Sequence, residues 1–119
     1  AFCRRSFDRD AGFNTEQRWI KFPEYEGKTL DQLYPYVGCT VVTFNQIWKD
    51  LLAIYEGLDE KFKRWYGDQE ALRIYAEKYP QRVSEMAESV YGCLPEHKTN
   101  DAKILHFKGE ARKKLFEVA

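Results

Sequence analysis

Apolar positions change their spacing several times along this chain. Residues 37–44, VGCTVVTF, form a continuous β-branched run of the kind a buried strand requires. From there the spacing turns helical. Phe44, Ile47, Trp48, Leu51, Leu52 and Tyr55 make one apolar stripe, and Gly57 ends it. Thr43 and Gln46 stand at the capping-box interval, so the spacing predicts a helix opening at Thr43. Asp59 heads a short second helix carrying Phe62, Trp65 and Tyr66. Gly67 interrupts it, and Asp68 caps a third helix whose inner face is Ala71, Leu72, Tyr75 and Tyr79, closed by Pro80. Residues 81–95 leave two readings open: Val83, Met86 and Val90 suit a helix, whereas the stretch from Tyr91 to Pro95 reads as extended. The run KILHF at 103–107 predicts another strand, and Gly109 leads into a last helix, EARKKLFEV. Residues 1–36, punctuated by Gly12, Pro23, Gly27 and Pro35, read as β-rich or loop-rich. Strands alternating with helices predict an α/β fold, with a mixed α+β arrangement as the alternative. Residues 1–119 show no repeat or internal linker and are expected to form a single domain.

Composition adds one unusual figure. Of 119 residues, 44% are hydrophobic and 32% charged, which is ordinary for a globular chain and argues against disorder. Aromatic residues reach 16%, with eight Phe, eight Tyr and three Trp, so a sizeable core is possible at this length. Nineteen Lys and Arg balance nineteen Asp and Glu, which excludes a general attraction to nucleic acid or anionic membrane. No window approaches the roughly 18 apolar residues of a membrane-spanning helix. The opening AFCRRSFDRD has no apolar signal-peptide core, and Cys3, Cys39 and Cys93 are odd in number, widely spaced and never in a CxxC pair. They read as idle thiols of a reducing compartment, and a cytoplasmic location is expected.

Two segments concentrate chemistry. In Trp65-Tyr66-Gly67-Asp68-Gln69, a carboxylate and a carboxamide stand beside two rings at a helix start. Rings can cover the apolar face of a sugar while Asp and Gln bond its hydroxyls. The alternative makes Asp68 an N-cap and Trp65 and Tyr66 core residues. In His106-Phe107-Lys108-Gly109-Glu110-Ala111-Arg112, a glycine and a helix start lie among cations: residues 101–119 hold five basic groups against three acidic ones. A phosphate or diphosphate suits that setting, with His106 available to a metal through its imidazole. Here the alternative is a satisfied histidine and a solvated basic helix face.

Taken together, the GDQ-x-A-L segment and the later strand ending in HFxG with a following cation resemble the C-terminal half of GT-A-fold nucleotide-sugar glycosyltransferases. The likeness is to glycosyltransferase family 8 and covers about residues 37–116. The resemblance implies that Asp68 and Gln69 match the family's Asp-Gln pair near the reacting centre. It makes His106 the metal-ligand histidine, Gly109 the motif glycine, and Arg112 the cation on the diphosphate, where the family carries Lys. Trp65, Tyr66 and Lys108 would complete the substrate site. Residues 38–44 lie where the family's Asn-Ser-Gly strand stands and share its apolar strand-then-helix pattern but not its sugar-binding residues, and the family's Pro-Trp is replaced by Lys113-Lys114. The implied cofactor is Mn²⁺ or Mg²⁺. Asp8-Arg9-Asp10 is literally a D-x-D and offers two carboxylates to such an ion. Because the family's motif ends an apolar strand, the true D-x-D is expected upstream of this chain, in a nucleotide-binding half of on the order of 100 residues.

The function the resemblance implies is transfer of a hexose from a nucleotide-diphosphate sugar to an acceptor hydroxyl, weak or absent in this part alone. Apolar surface left by a missing half would favour a homo-oligomer. A non-enzymatic helical protein-interaction module is the alternative, with the Phe44 to Tyr55 stripe as interface or core. One geometric test separates them: a transferase needs Asp68 and His106 to converge on one cleft.

Overall fold

The first few residues of the chain supply the middle strand of the sheet. In the computed structural model, which describes residues 1–6, 22–63 and 66–107, β1 (Phe2–Arg4) lies between β2 (Tyr36–Val41) and β3 (Glu85–Ala87). It runs antiparallel to β2 and parallel to β3. Four α-helices accompany the sheet among the described residues: α1 (Leu30–Leu33), α2 (Gln46–Glu56), α3 (Gly67–Lys78) and α4 (Glu88–Tyr91). The architecture is therefore a small mixed α+β domain.

The β1–β2 register carries an irregularity that matters for both faces of the sheet. Phe2 stands opposite Val41, but the next residue, Cys3, stands opposite Val37. Residues 38–40 are taken up as a bulge, a device that bends a strand and re-aims its side chains. Beyond it the strands stay tied: the Ala1 ammonium donates to the Val42 carbonyl at 2.6 Å, and the Val42 N–H donates back to the Ala1 carbonyl at 3.0 Å.

This pairing also sets where α2 begins. Because Val42 is still bonded to the first residue, 43–45 serve as a connection and the helix starts at Gln46 rather than Thr43. The expected Thr43–Gln46 box is not formed. Asn45 occupies the cap position with helical dihedrals and no side-chain cap. The apolar stripe of α2 consequently divides. Ile47 and Leu51 are buried with Phe2, Ala71, Leu72 and Tyr75, whereas Trp48 and Leu52 face outward. On α3 the expected inner face is the one found, with Ala71, Leu72 and Tyr75 buried and Tyr79 packed at the edge.

A second, aromatic cluster comes from residues read only as irregular. Thr29 and Gln32 form a reciprocal capping box at the start of α1. That short helix buries Leu30 and Leu33 beside Tyr25 and Tyr34, with Phe22, Phe62 and Tyr66 packed around them. Of the expected second helix, the described residues form a 3-10 turn at Glu60–Phe62.

The ambiguous stretch resolves into β3 followed by α4, the reverse of the expected order: Met86, read as helical, lies in the strand, and Tyr91, read as extended, closes the helix. The strand expected at 103–107 is not formed. Its N–H groups at Lys103 and Ile104 both donate to the Val90 carbonyl, so the segment closes against the end of α4. Among the described residues, one bridge, Cys93 to Leu105, is all the β pairing it makes. The last expected helix, after Gly109, falls outside the described residues.

Candidate functional site

One face of the sheet carries an open groove of about 360 Å³ between β2, α2 and α3. Trp48, Leu51, Leu52, Tyr55, Ala71 and Leu72 line it, together with Val41, Gly38 and Asp68. Gly38 lets the Asp68 carboxylate lie close against β2. A Cβ there would stand 2.8 Å from Asp68 Oδ2, closer than real contacts allow. Asp68 sits inside the first turn of α3 rather than at its cap, and its Oδ1 accepts the Gln69 N–H at 2.8 Å. Its side chain is exposed, so a carboxylate is presented at the rim of an apolar groove.

Gln69 goes elsewhere. Successive helix positions turn by about 100°, and Gln69 is buried on the far side, where its Oε1 accepts from the Arg5 guanidinium. Arg5 in turn donates to the Tyr34 carbonyl at 2.8 Å. The carboxamide therefore ties α3 to the chain around β1 and does not enter the groove. Tyr66 is likewise structural in placement: it stacks on Tyr34 at 4.8 Å within the aromatic cluster. Trp65, Lys108, Gly109 and Arg112 lie outside the described residues, as do Asp8 and Asp10.

His106 stands on the opposite face of the sheet from Asp68. Adjacent residues of a strand point to opposite faces: on β1, Phe2 packs against α2 and α3 on the groove side, whereas Cys3 turns the other way, toward Gly92 and Cys39, the neighbour of His106. The two groups do not converge on one cleft. His106 is held by its own N–H, which donates to the Cys93 carbonyl at 2.8 Å. Its Nδ1 is buried without a hydrogen-bond partner among the described residues.

The neighbours of His106 are thiols. Cys39 is in hydrogen-bond contact with Cys3 and with His106, and both sulfurs crowd against Gly92. A Cβ on Gly92 would lie 2.6 Å from the Cys39 sulfur and 3.3 Å from that of Cys3. The Cys3 hydrogen bond is the main cause that holds the Cys39 thiol down to about 4; burial opposes it, and the hydrogen bond and charge of His106 reinforce it. Thr40 also lies near, but its single hydroxyl proton is committed to the Tyr91 carbonyl at 2.6 Å, so Cys3 and His106 carry the effect. Cys39 is half-buried and Cys3 fully buried. A nitrogen beside two sulfurs is a soft donor set, whereas Mn²⁺ and Mg²⁺ take oxygen. No group of three or more His, Cys, Asp or Glu side chains among the described residues is arranged to hold a metal. The described residues around His106 thus do not fit the implied ion.

Two features of the site escaped the sequence. Trp48 and Tyr55 line the groove, because α2 turns half its stripe outward. The thiol pair was passed over because Cys3 and Cys39 are far apart in sequence and no CxxC spacing marks them. What the fold and site define is a small α+β domain with an acid-rimmed apolar groove on one face and a dithiol–histidine cluster on the other. No family model, curated protein or solved structure matches the chain. Among the described residues no helix is long and apolar enough to cross a membrane.

Proposed function

We propose that this domain is a protein-interaction module whose docking face is the outer side of α2 and the adjoining groove. The observation that carries it is exposure: Phe44 is 89% exposed, Val42 59%, Leu52 56% and Trp48 51%. Large apolar side chains gathered at one edge of a domain are expensive to leave in water and mark binding surfaces. Trp48 and Leu52 stand one helical turn apart, the spacing that meets the anchors of an amphipathic helix. Asp68 at the rim supplies the charge complement. The partner is therefore a helical segment of another protein with apolar anchors flanked by a Lys or Arg.

Fluorescence titration with designed amphipathic peptides tests this, using Trp48→Phe to isolate the signal of Trp48 from that of Trp19 and Trp65. A peptide carrying Lys beside its apolar face should bind, Lys→Glu in the peptide should weaken it, and Leu52→Asp in the domain should abolish it. Absence of binding together with a monomer at high concentration would remove the proposal. Concentration-dependent self-association that Leu52→Asp reverses would replace the foreign helix by a second copy.

The hexosyltransferase reading retains one observation in its favour: Asp68 shares its groove with the rings of Trp48 and Tyr55. Ring and carboxylate together are the pairing a sugar needs. Calorimetric titration with UDP- and GDP-sugars, with and without Mn²⁺, decides it. Binding lost in Asp68→Ala would favour the transferase, and binding lost in His106→Ala would restore the metal role.

A further inference from the structure

The thiol cluster lies across the sheet from the groove and is independent of it. Cys39 and Cys3 sit on neighbouring strands, in contact with each other, on the face covered by Gly92 and α4. The bulge at 38–40 brings this about: Cys3 pairs with Val37, and the extra residues swing Cys39 back toward it. Only glycine at position 92 leaves room for both sulfurs. The two thiols differ in access, since Cys39 is only partly buried whereas Cys3 is sealed. Cys93, also buried, points its sulfur at the Leu94 carbonyl at 3.3 Å.

We propose that Cys39 is a peroxide-reactive cysteine and Cys3 its resolving partner, so that oxidation joins β1 to β2 through a Cys3–Cys39 disulfide. The accessible Cys39 thiolate attacks one oxygen of hydrogen peroxide. The O–O bond breaks, hydroxide leaves and takes up a proton to become water, and Cys39 becomes a sulfenic acid. The Cys3 sulfur then attacks the Cys39 sulfur, the S–O bond breaks, and a second water leaves with the Cys3 proton. Peroxide gains two electrons and the thiol pair loses two. His106 beside the attacking sulfur favours its thiolate form, and the sealed partner reaches only a sulfur already in contact with it. This pairing distinguishes a sensor from a thiol that oxidises further, because the disulfide forms before a second peroxide arrives.

The test uses the whole chain, reduced and freed of reductant, with hydrogen peroxide at about one equivalent. Digestion at acidic pH and peptide mass mapping should find one linked peptide joining Cys3 to Cys39, lighter by two hydrogens, with Cys93 unmodified. The wild-type chain should react at least about tenfold faster than free cysteine at the same pH. Cys3→Ser should replace the cross-link by a dimedone adduct on Cys39. A folded wild-type chain that reacts no faster than free cysteine, that oxidises its three cysteines equally, or that links through Cys93 overturns the proposal. That comparison needs no variant, so a misfolded Cys3→Ser does not protect it.

Discussion

Glu70 offers the sharpest test of how α3, which carries Asp68 and the groove wall, is held in place. It is buried, and its Oε2 accepts the Tyr25 hydroxyl at 2.9 Å while its Oε1 takes the Arg73 guanidinium. The Tyr34 hydroxyl donates onward to that of Tyr25 at 3.2 Å. Burial pushes the Tyr25 hydroxyl well above its ordinary range and that of Tyr34 up to about 12, so both remain protonated donors. Glu70→Ala leaves one of these two O–H groups without an acceptor, a loss of about 1–3 kcal/mol for a buried polar group. Arg73 suffers less, because it keeps Glu77 at 3.1 Å; it loses one charge-assisted bond from a largely buried pair, about 1–2 kcal/mol. The expected destabilisation is about 3 kcal/mol, or a midpoint lowered by about 10 °C for a domain of this size. Glu70→Gln keeps an acceptor for Tyr25 and loses only the charge facing Arg73, so it should cost about half as much. Urea titration followed by circular dichroism measures both, and the slope should match the wild type. The reasoning fails if Glu70→Ala lies within about 0.5 kcal/mol of wild type, or if Gln is as damaging as Ala.

Three further outcomes are expected. Gly67→Ala should destabilise by about 1–3 kcal/mol although alanine favours helix: its Cβ would meet Tyr55 Cε2 at 2.7 Å and the Phe62 carbonyl at 3.1 Å, and thermal melting reads the loss. Phe44→Ser should change stability by no more than about 0.5 kcal/mol in the same assay, since Phe44 is almost wholly exposed, while weakening any partner that occupies the α2 face. Iodoacetamide labelling of Cys39 should stay fast at neutral pH and decline only as pH falls through about 4, with Cys3→Ala and His106→Gln each moving that midpoint upward. The sign follows from linkage. A depressed folded-state value contributes stability that is fully present above the unfolded thiol's value, about 8.5, and is lost as pH falls through the folded one.

Where local chemistry dominates, the sequence was legible. Helix α2 ends at Gly57 and α3 buries Ala71, Leu72 and Tyr75, because turn-breaking and 3.6-residue spacing are properties of a few neighbouring residues. The β-branched run at 37–41 forms a strand for the same reason. The start of α2 was not legible, since it depends on Ala1 holding Val42 from 41 positions away. Nor was the failure of 103–107 to pair as a strand, which follows from Val90 taking its N–H groups.

The sequence alone determined a mixed set of helices and strands, an aromatic-rich core and a chain without net charge. Only the tertiary structure decided which side chains meet. A one-residue step along β2 sends Gly38 toward Asp68 and Cys39 toward His106, and a one-residue step along α3 sends Asp68 to the groove and Gln69 to Arg5. Residues adjacent in sequence were thereby separated, and Cys3, Cys39 and His106, distant in sequence, were brought together. Strand pleat and helix turn fix such directions locally, but which partner waits on each face is set by the packing of the whole domain.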